Sequence, residues 1–527
     1  MIRKIPIRIH KVAFLFIGIA TLCFSGNADK LVLLHTNDIH SAIEPLADGT
    51  SGMLQRKAII DSVRGNEKNV VLIDAGDAVQ GTLFFKYFGG DVEYPMMDMC
   101  GYDIRILGNH EFDNGLEELA KRYKNIKGAC LSANYDFSGT ELEGIFMPYI
   151  IKEFKNKKVG FIGINLDPEG IIATKNITFK YNEIIPTANE LAACLKEKQG
   201  CDLVVAVTHI GYEKINEKTS DVELARSSHD IDIIIGGHTH TVIDPANPDI
   251  FPSLVKNAEG KHVRIAQTGK QGRYIGKIEI DLDNLEDSDG ACYKYELIPV
   301  TDRFPHEQLD KEMIAFLDPY RQKVDSIDHK VVGKAAYTLE RVRLGGLANL
   351  TADFSLQYTN HVADSLRKNN LSFPRVDMSI LNGGGIRHEM PEGNIYEGQI
   401  LSTYPFSNRP VIIRVKGKDL IEALRVSAAK GGEPISGNVM VVTDNDRNLR
   451  HVIIDGEEMD PESYYVVGTI DYVAEGNDGL KSLANHQMLW KGEEEFCVPI
   501  LQWFKRQSGF GIPVNPDPRS RFIVESY

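Results

Sequence analysis

The chain has 527 residues, with 59 basic and 74 acidic side chains, a formal charge of −15 at pH 7, 43% hydrophobic residues and 25% charged ones. Such a composition is ordinary for a soluble globular protein, and at roughly 100–200 residues per domain the length predicts two to four domains. The acid excess argues against a protein that follows a polymeric nucleic acid, because phosphate contacts need clustered Lys and Arg. A small phosphorylated substrate is not excluded, since a metal or a few arginines can reverse the local field.

The first 28 residues read as a secretory leader. Arg3, Lys4, Arg8 and Lys11 form a basic start, residues 12–24 are a nearly unbroken apolar run, and Gly26 and Ala28 fit a small-x-small cleavage site. The run is too short to span a bilayer as a helix. Removing these residues takes away four basic side chains and no acid, so the balance moves from −15 to −19 over 499 residues. No other apolar run is long enough to span. The expectation is an exported protein, periplasmic, secreted or at the cell surface. Cys23 stands where a lipidated cysteine could, but Leu22 before it is a poor match to the usual small residue, so an anchor is not favoured. The other cysteines are Cys100, Cys130, Cys194, Cys201, Cys292 and Cys497. They show no C-x-x-C. Cys194 and Cys201 are close enough to bridge, with buried unpaired thiols the equal alternative.

From residue 31 to 300 one theme repeats. Apolar, β-rich runs at 31–34, 70–73, 104–107, 159–164, 203–207 and 231–235 each end abruptly in a polar cluster, and helix-length segments separate them. Continuous apolar strands of this kind predict sheets covered by helices, an α/β layered domain. Residues 306–330 carry Leu309, Met313, Leu317, Tyr320, Val324 and Ile327 at spacings of three and four, a helical stripe in which Pro319 should cause a kink or a split. From 331 the β-rich pattern resumes around a helix from about 347 to 366. The expected division is a leader (1–28), a first domain (29–305), a helical linker or hinge (306–330) and a second α/β or α+β domain (331–527).

Five polar clusters carry the chemistry: His35-Thr36-Asn37-Asp38-Ile39-His40, Asp74-Ala75-Gly76-Asp77, Gly108-Asn109-His110-Glu111-Phe112-Asp113, Thr208-His209, and Gly236-Gly237-His238-Thr239-His240. In α/β sheets ligands gather outside the carboxyl ends of strands, so five such ends would bring these groups together. Asp38/His40 and His238/His240 are i, i+2 pairs whose members face the same way in extended backbone. Imidazole, carboxylate and one amide, without thiolate, suit Zn, Mn, Fe(II) or Co. Seven candidates suit two ions sharing a carboxylate better than one tetrahedral ion. A lone strand-end histidine is more often hydrogen-bonded structure than ligand; it is the ordered set that points to a metal centre.

That order resembles the calcineurin-like metallophosphoesterases. More narrowly, His-Thr-Asn-Asp-Ile-His, Asp-Ala-Gly-Asp and Gly-Asn-His-Glu-Phe-Asp-Asn-Gly resemble the secreted 5′-nucleotidases and UDP-sugar hydrolases, over nearly the whole chain after the leader. The resemblance implies two packed sheets flanked by helices, then a substrate domain, with a large rotation between the two. It places Asp38, His40, Asp77 and His240 on one divalent ion and Asp77, Asn109, His209 and His238 on the other. His110 would contact the phosphate, and Asp113 would orient His110; a helix N-cap or first-turn acid is the plainer reading of Asp113.

The second domain carries Asn382-Gly383-Gly384-Gly385-Ile386-Arg387, which resembles the family's phosphate-facing element, with Gly384 admitting substrate to the backbone and Arg387 on the phosphate. Arg341 and Arg343, alike-facing if on a strand, fit two further phosphate-facing arginines. Pro405-Phe406-Ser407-Asn408 resembles the element that supplies one aromatic wall and an amide. The run from Asp471 to Gly479 resembles the one that supplies the other wall, Tyr472, and an acid, Asp478. Tyr472 stands where Phe is common and Asn477 where Gly is common. The resemblance therefore implies a dinuclear-metal phosphohydrolase acting on nucleoside 5′-monophosphates, with di- and triphosphates and UDP-sugars as further substrates. Its partner is a small nucleotide. Oligomeric state is not legible. Three alternatives stand: a 2′,3′-cyclic-nucleotide phosphodiesterase with 3′-nucleotidase activity, a thiosulfate-ester hydrolase, and a non-catalytic surface protein that binds nucleotides or adenosine.

Overall fold

The computed structural model describes residues 30–46, 48–173, 176–214, 218–285, 293–342, 344–368 and 372–525. The leader with Cys23, and also Cys292 and Arg343, lie outside the described residues.

Two six-stranded sheets build the N-terminal half. The first runs, in spatial order, Tyr293–Pro299, Tyr274–Asp281, Lys30–Thr36, Asn69–Asp74, Ile104–Ile106, Ala129–Leu131. The second runs Leu254–Lys256, His262–Ala266, Ile233–Ile235, Leu203–His209, Lys157–Asn165, Tyr149–Phe154. The central strands of both are parallel; antiparallel strands close both edges of the second sheet and one edge of the first, whose other edge, Ala129–Leu131, is parallel. The apolar runs are continuous because both faces of each strand are covered. Leu31, Leu33, Val71 and Ile73 meet Val205, Val207, Ile233 and Ile235 in one cluster between the sheets. Val32, Leu34 and Leu72 point the other way and pack with Met53, Ile59 and Ile60 of the helix Met53–Asn66. The helices Ile184–Ala193 and Asp221–Ser227 cover the second sheet through Ala188, Ala192, Leu224 and Ala225. Two sheets between helix layers result, and all the parallel strands point their carboxyl ends to one rim.

The C-terminal half holds two four-stranded sheets. One is ordered Met378–Ser379, Tyr464–Ile470, Pro410–Lys416, His486–Lys491, and the other Glu457–Glu458, Leu449–Ile454, Val439–Thr443, Phe522–Val524. The helix Gly346–Arg367 lies on the first so closely that a Cβ on Gly468 would stand 2.4 Å from Thr359 Oγ1. This helix matches the 347–366 expectation to a residue at each end.

Between the halves the helix Lys311–Asp328 is capped by Asp310, whose carboxylate accepts the Met313 N–H at 2.9 Å, and it buries Met313, Leu317 and Val324. Of the two outcomes the sequence suggested at Pro319, a kink or a split, the split does not occur. Pro319 and Ala315 are both exposed, so the carbonyl that loses its partner faces solvent and can be hydrated there. Cys194 and Cys201 do not bridge; both are free thiols. Among the described residues no helix is long and apolar enough to cross a membrane.

Candidate metal centre and adjoining cleft

The five polar clusters converge on the shared rim. Ligand atoms of Asp38, His40 and His240 lie within 4.8 Å of one another, as do those of Asp77, His209 and His238. His238 and His240 thus serve different groups. The i, i+2 pairs are not in the extended backbone expected of them: φ is 49° at Asp38, 48° at His40, 78° at His238 and 57° at His240. Left-handed backbone at non-glycine residues costs of order 1–3 kcal/mol each and persists where surrounding structure enforces it, most often at functional sites. Asp77, at φ 54°, is a fifth case.

Asp77 joins the groups. Its Oδ2 lies 3.2 Å from His209 Nε2 and 4.0 Å from both His40 Nε2 and His110 Nε2, while Oδ1 accepts the His110 N–H at 2.9 Å. Asp38 Oδ1 is 3.4 Å from His240 Nε2 and 3.8 Å from His40 Nε2. His40 Nε2 and His240 Nε2 approach to 2.9 Å, and His238 Nδ1 and Asn109 Oδ1 to 3.0 Å. Ligands at about 2.0–2.2 Å from a tetrahedral or octahedral ion are separated by about 3–3.5 Å, so these spacings fit shared coordination.

The donor chemistry fits as well. His209 Nδ1 faces the Ala75 carbonyl at 2.7 Å, which leaves the buried Nε2, 3.2 Å from Asp77 Oδ2, as the ring atom that would meet a cation. Burial opposes charge on Asp38 and Asp77, but the imidazoles around them hold both carboxyls below the ordinary range. Burial likewise opposes charge on His209, yet Asp77 and Asp38 outweigh it and push its pKa up to about 10. His238, by contrast, is lowered to about 4 by burial and by His209. Two buried carboxylates therefore draw positive charge into this pocket, and the residues present suit divalent cations.

His110 Nδ1 is 3.0 Å from Asp113 Oδ2, which fixes the ring and turns Nε2 toward Asp77. Burial disfavours charge on His110, but Asp113 and Asp77 raise its pKa above the usual value. Asp113 follows a short 3-10 turn, His110–Phe112, rather than capping an α-helix through its side chain.

A cleft of about 290 Å³ opens beside this centre. Asp77, Asn109, His110, Asp113, His238 and His240 line one side; Asn382, Gly384, Arg387, Phe406, Asn408, Tyr472 and Asp478 line the other. Phe406 tilts over His110 at 5.8 Å between ring centroids, and the Arg387 guanidinium lies 5.9 Å from the Phe406 centroid. Asp478 accepts from Asn382 Nδ2 at 2.7 Å and from the Tyr472 hydroxyl at 3.3 Å. At Gly384 an added Cβ would meet nothing nearer than 3.6 Å, so the protein alone does not demand glycine there. Asn477 is buried and donates to the Tyr472 carbonyl at 2.8 Å, which stiffens the turn.

Arg341 is not on a strand and does not line the cleft; its Nε donates to the Ile386 carbonyl at 2.7 Å, one residue before Arg387. Sequence reasoning gave no role to several residues that build the site. Glu111 accepts N–H groups from Asp77, Ala78 and Gly108 at 3.1, 2.9 and 2.6 Å, tying two ligand loops together. Asn37 Nδ2 holds Asp38 Oδ2 at 2.6 Å. Residues 170–173 and Asn176 add a third wall to the cleft. Glu111 and Asn37 stood inside the motifs; the 170–176 wall has no sequence signature.

Residues 31–242 match the calcineurin-like phosphoesterase family, and residues 331–485 match the 5′-nucleotidase C-terminal domain family. A 5′-nucleotidase of Rattus norvegicus is 26% identical over 517 residues, covering 89% of this chain and 87% of its own. A trifunctional nucleotide phosphoesterase of Bacillus subtilis is 27% identical over 539 residues, covering 93% of this chain, which spans 34% of that longer protein. In structure, a 5′-nucleotidase precursor from Thermus thermophilus superposes with a TM-score of 0.80 at 27% identity, covering 94% of this chain and all of its own.

Proposed function

The chain belongs to the calcineurin-like phosphoesterases that carry a 5′-nucleotidase C-terminal domain, metal-dependent phosphoester hydrolases, and from that premise we propose that it removes phosphate from nucleoside 5′-monophosphates at a two-metal centre. The observation that carries this reading is the single cleft in which the His/Asp cluster and His110 face Arg387, Phe406, Tyr472 and Asp478. A phosphate at the cluster and a flat base between the two aromatic side chains are the two ends of one nucleotide. Di- and triphosphates and UDP-sugars are further candidate substrates.

Asp38, His40, Asp77 and His240 would hold one ion, and Asp77, Asn109, His209 and His238 the other, with Zn, Mn, Co or Fe(II) suited to the donor set. Divalent ions so held supply positive charge against the phosphate and a water of lowered pKa. His110, its ring anchored through Nδ1 by Asp113, would donate from Nε2 toward the phosphoryl oxygens where charge develops. Arg387 neutralises the phosphate from the opposite side, and Arg341, whose Nε holds the Ile386 carbonyl, positions the Arg387 segment. Phe406 and Tyr472 stack the base, worth roughly 1–3 kcal/mol per contact and little dependent on base identity. Asn408 and Asp478 supply polar contacts to the nucleoside. Residues 29–305 would form the catalytic domain, 306–330 the linker and 331–527 the nucleotide-binding domain. The leader-like start supports export.

The test is phosphate release from AMP, UMP, ATP, UDP-glucose and 2′,3′-cyclic AMP, after EDTA stripping and re-addition of Zn, Mn or Co. Metal-dependent release that is fastest from a 5′-monophosphate is expected. A strong preference for the cyclic substrate would replace this reading with a phosphodiesterase, and adenosine binding without any phosphate release would point to a binding protein.

A further inference from the structure

The two aromatic walls of the cleft grow from neighbouring strands. Pro410–Lys416 and Tyr464–Ile470 run antiparallel, with Pro410 opposite Ile470 at their end. The segment carrying Phe406 and Asn408 leads into the first strand, and Tyr472 follows the second. One step beyond that last pair stand Arg409 and Asp471. The Asp471 N–H donates to the Arg409 carbonyl at 2.9 Å, as the next rung of the ladder would. The return bond takes another route. The chain turns into the short helix Asp471–Ala474, and the Asp471 carbonyl accepts the Glu475 N–H at 3.0 Å instead. The Asp471 carboxylate stands in for it. Its Oδ1 accepts the Arg409 N–H and the Tyr472 N–H, each at 3.0 Å, and its Oδ2 meets Lys491 Nζ, on the adjacent strand His486–Lys491, at 3.0 Å.

One buried side chain thus holds both the residue after Asn408 and the backbone of Tyr472. The other ties of the Phe406 segment run to elements that do not carry Tyr472: the Asn408 carbonyl accepts the Phe496 N–H at 2.8 Å, and the Pro405 carbonyl accepts from Lys86 Nζ at 3.4 Å. A flat base gains from two walls only when their gap fits it, and an added gap of about 0.5–1 Å forfeits roughly a quarter to a half of a contact's energy. We infer that Asp471 is a positioning residue that sets the gap between Phe406 and Tyr472, and through it the affinity for the nucleoside. The inference rests on the function proposed above for those two rings. Asp471 itself does not line the cleft, so its effect falls on nucleoside binding and not on phosphate chemistry.

The test compares the metal-loaded full chain with Asp471→Ala and Asp471→Asn. It reads amide hydrogen exchange across 405–409 and 471–473, inhibition of p-nitrophenyl phosphate hydrolysis by adenosine, and KM and kcat for AMP and for p-nitrophenyl phosphate. Asp471→Ala should speed exchange in both segments about tenfold or more, while the strands Pro410–Lys416 and Tyr464–Ile470 keep their protection. One lost stacking contact corresponds to about tenfold in affinity. Adenosine inhibition should weaken and KM for AMP should rise by that factor, with kcat/KM for p-nitrophenyl phosphate within about threefold. Asp471→Asn keeps an Oδ1 acceptor, and the half-exposed Lys491 can turn to water, so it should stay within about threefold of the unaltered protein throughout. Unchanged exchange in Asp471→Ala overturns the inference. So does faster exchange with unchanged adenosine inhibition, exchange that rises equally in the two strands, or an equal loss of AMP and p-nitrophenyl phosphate hydrolysis. If adenosine does not inhibit the unaltered protein and AMP is not preferred, the nucleotidase reading fails, while the exchange arm still decides whether Asp471 holds the two segments together.

Discussion

Asp77 is the residue that links the two ligand groups. Its two oxygens reach the His110 amide and three imidazole nitrogens within 4.0 Å. Asp77→Asn keeps the shape and removes the charge. Bound metal, measured by elemental analysis, should fall by at least half, and phosphate release by about 1000-fold or more, because in the proposed centre Asp77 would serve both ions. Asp113 acts at one remove. With Asp113→Asn the His110 ring loses its charged anchor, and kcat should fall about 10- to 100-fold with metal content unchanged. Equal metal loss in the two variants would contradict this division of roles. Both residues were legible in the sequence, because each ends a motif of fixed spacing. What that spacing did not reveal was the left-handed backbone at Asp38, His40, His238 and His240, since contacts distant in the chain impose it.

At the scale of elements, the strand ends hold the site together by close approach. A Cβ on Gly108 would stand 2.2 Å from Asp77 Oδ1 and 2.5 Å from the Asp77 backbone nitrogen. Neither atom can yield without moving the Asp77 carboxylate, so Gly108→Ala should abolish measurable phosphate release while circular dichroism stays native. Glu111 braces the same two loops. Glu111→Gln turns an amide N–H₂ toward backbone donors that need acceptors, and should destabilise the chain by about 1–3 kcal/mol in denaturant unfolding. The strands themselves were legible as apolar runs that stop at polar clusters. The brace was not, because it joins residues 77 and 78 to 108 and 111 through a side chain whose direction no local pattern fixes. Arg341 shows the opposite failure. A strand would make Arg341 and Arg343 face alike, but Arg341 lies in coil and its side chain is set by the Ile386 carbonyl instead.

Over the whole molecule, the cleft exists because two domains share it. Loop 169–171 of the catalytic domain meets the turn that carries Tyr472 and Asp478. The Tyr472 hydroxyl donates to the Ile171 carbonyl at 3.2 Å, Asp478 N to the Gly170 carbonyl at 3.2 Å, and Lys481 pairs with Glu169 at 2.5 Å. The ion pair is largely exposed, so it contributes little. Glu169→Lys should raise nucleotide KM only about two- to fivefold, and adding Lys481→Glu should restore it. These contacts join segments far apart in the chain, and the 169–171 loop carries no motif, so the sequence points to the Tyr472 turn and not to its counterpart. The central claim is that phosphate and base are bound in one cleft from opposite domains. Its most direct measurement is the ratio of kcat/KM for AMP to that for p-nitrophenyl phosphate, in the unaltered enzyme and in the Phe406→Ala, Tyr472→Ala double variant. The predicted result is a preference for AMP of at least about 100-fold, nearly erased in the variant while p-nitrophenyl phosphate hydrolysis persists. Equal ratios in the two proteins would contradict it.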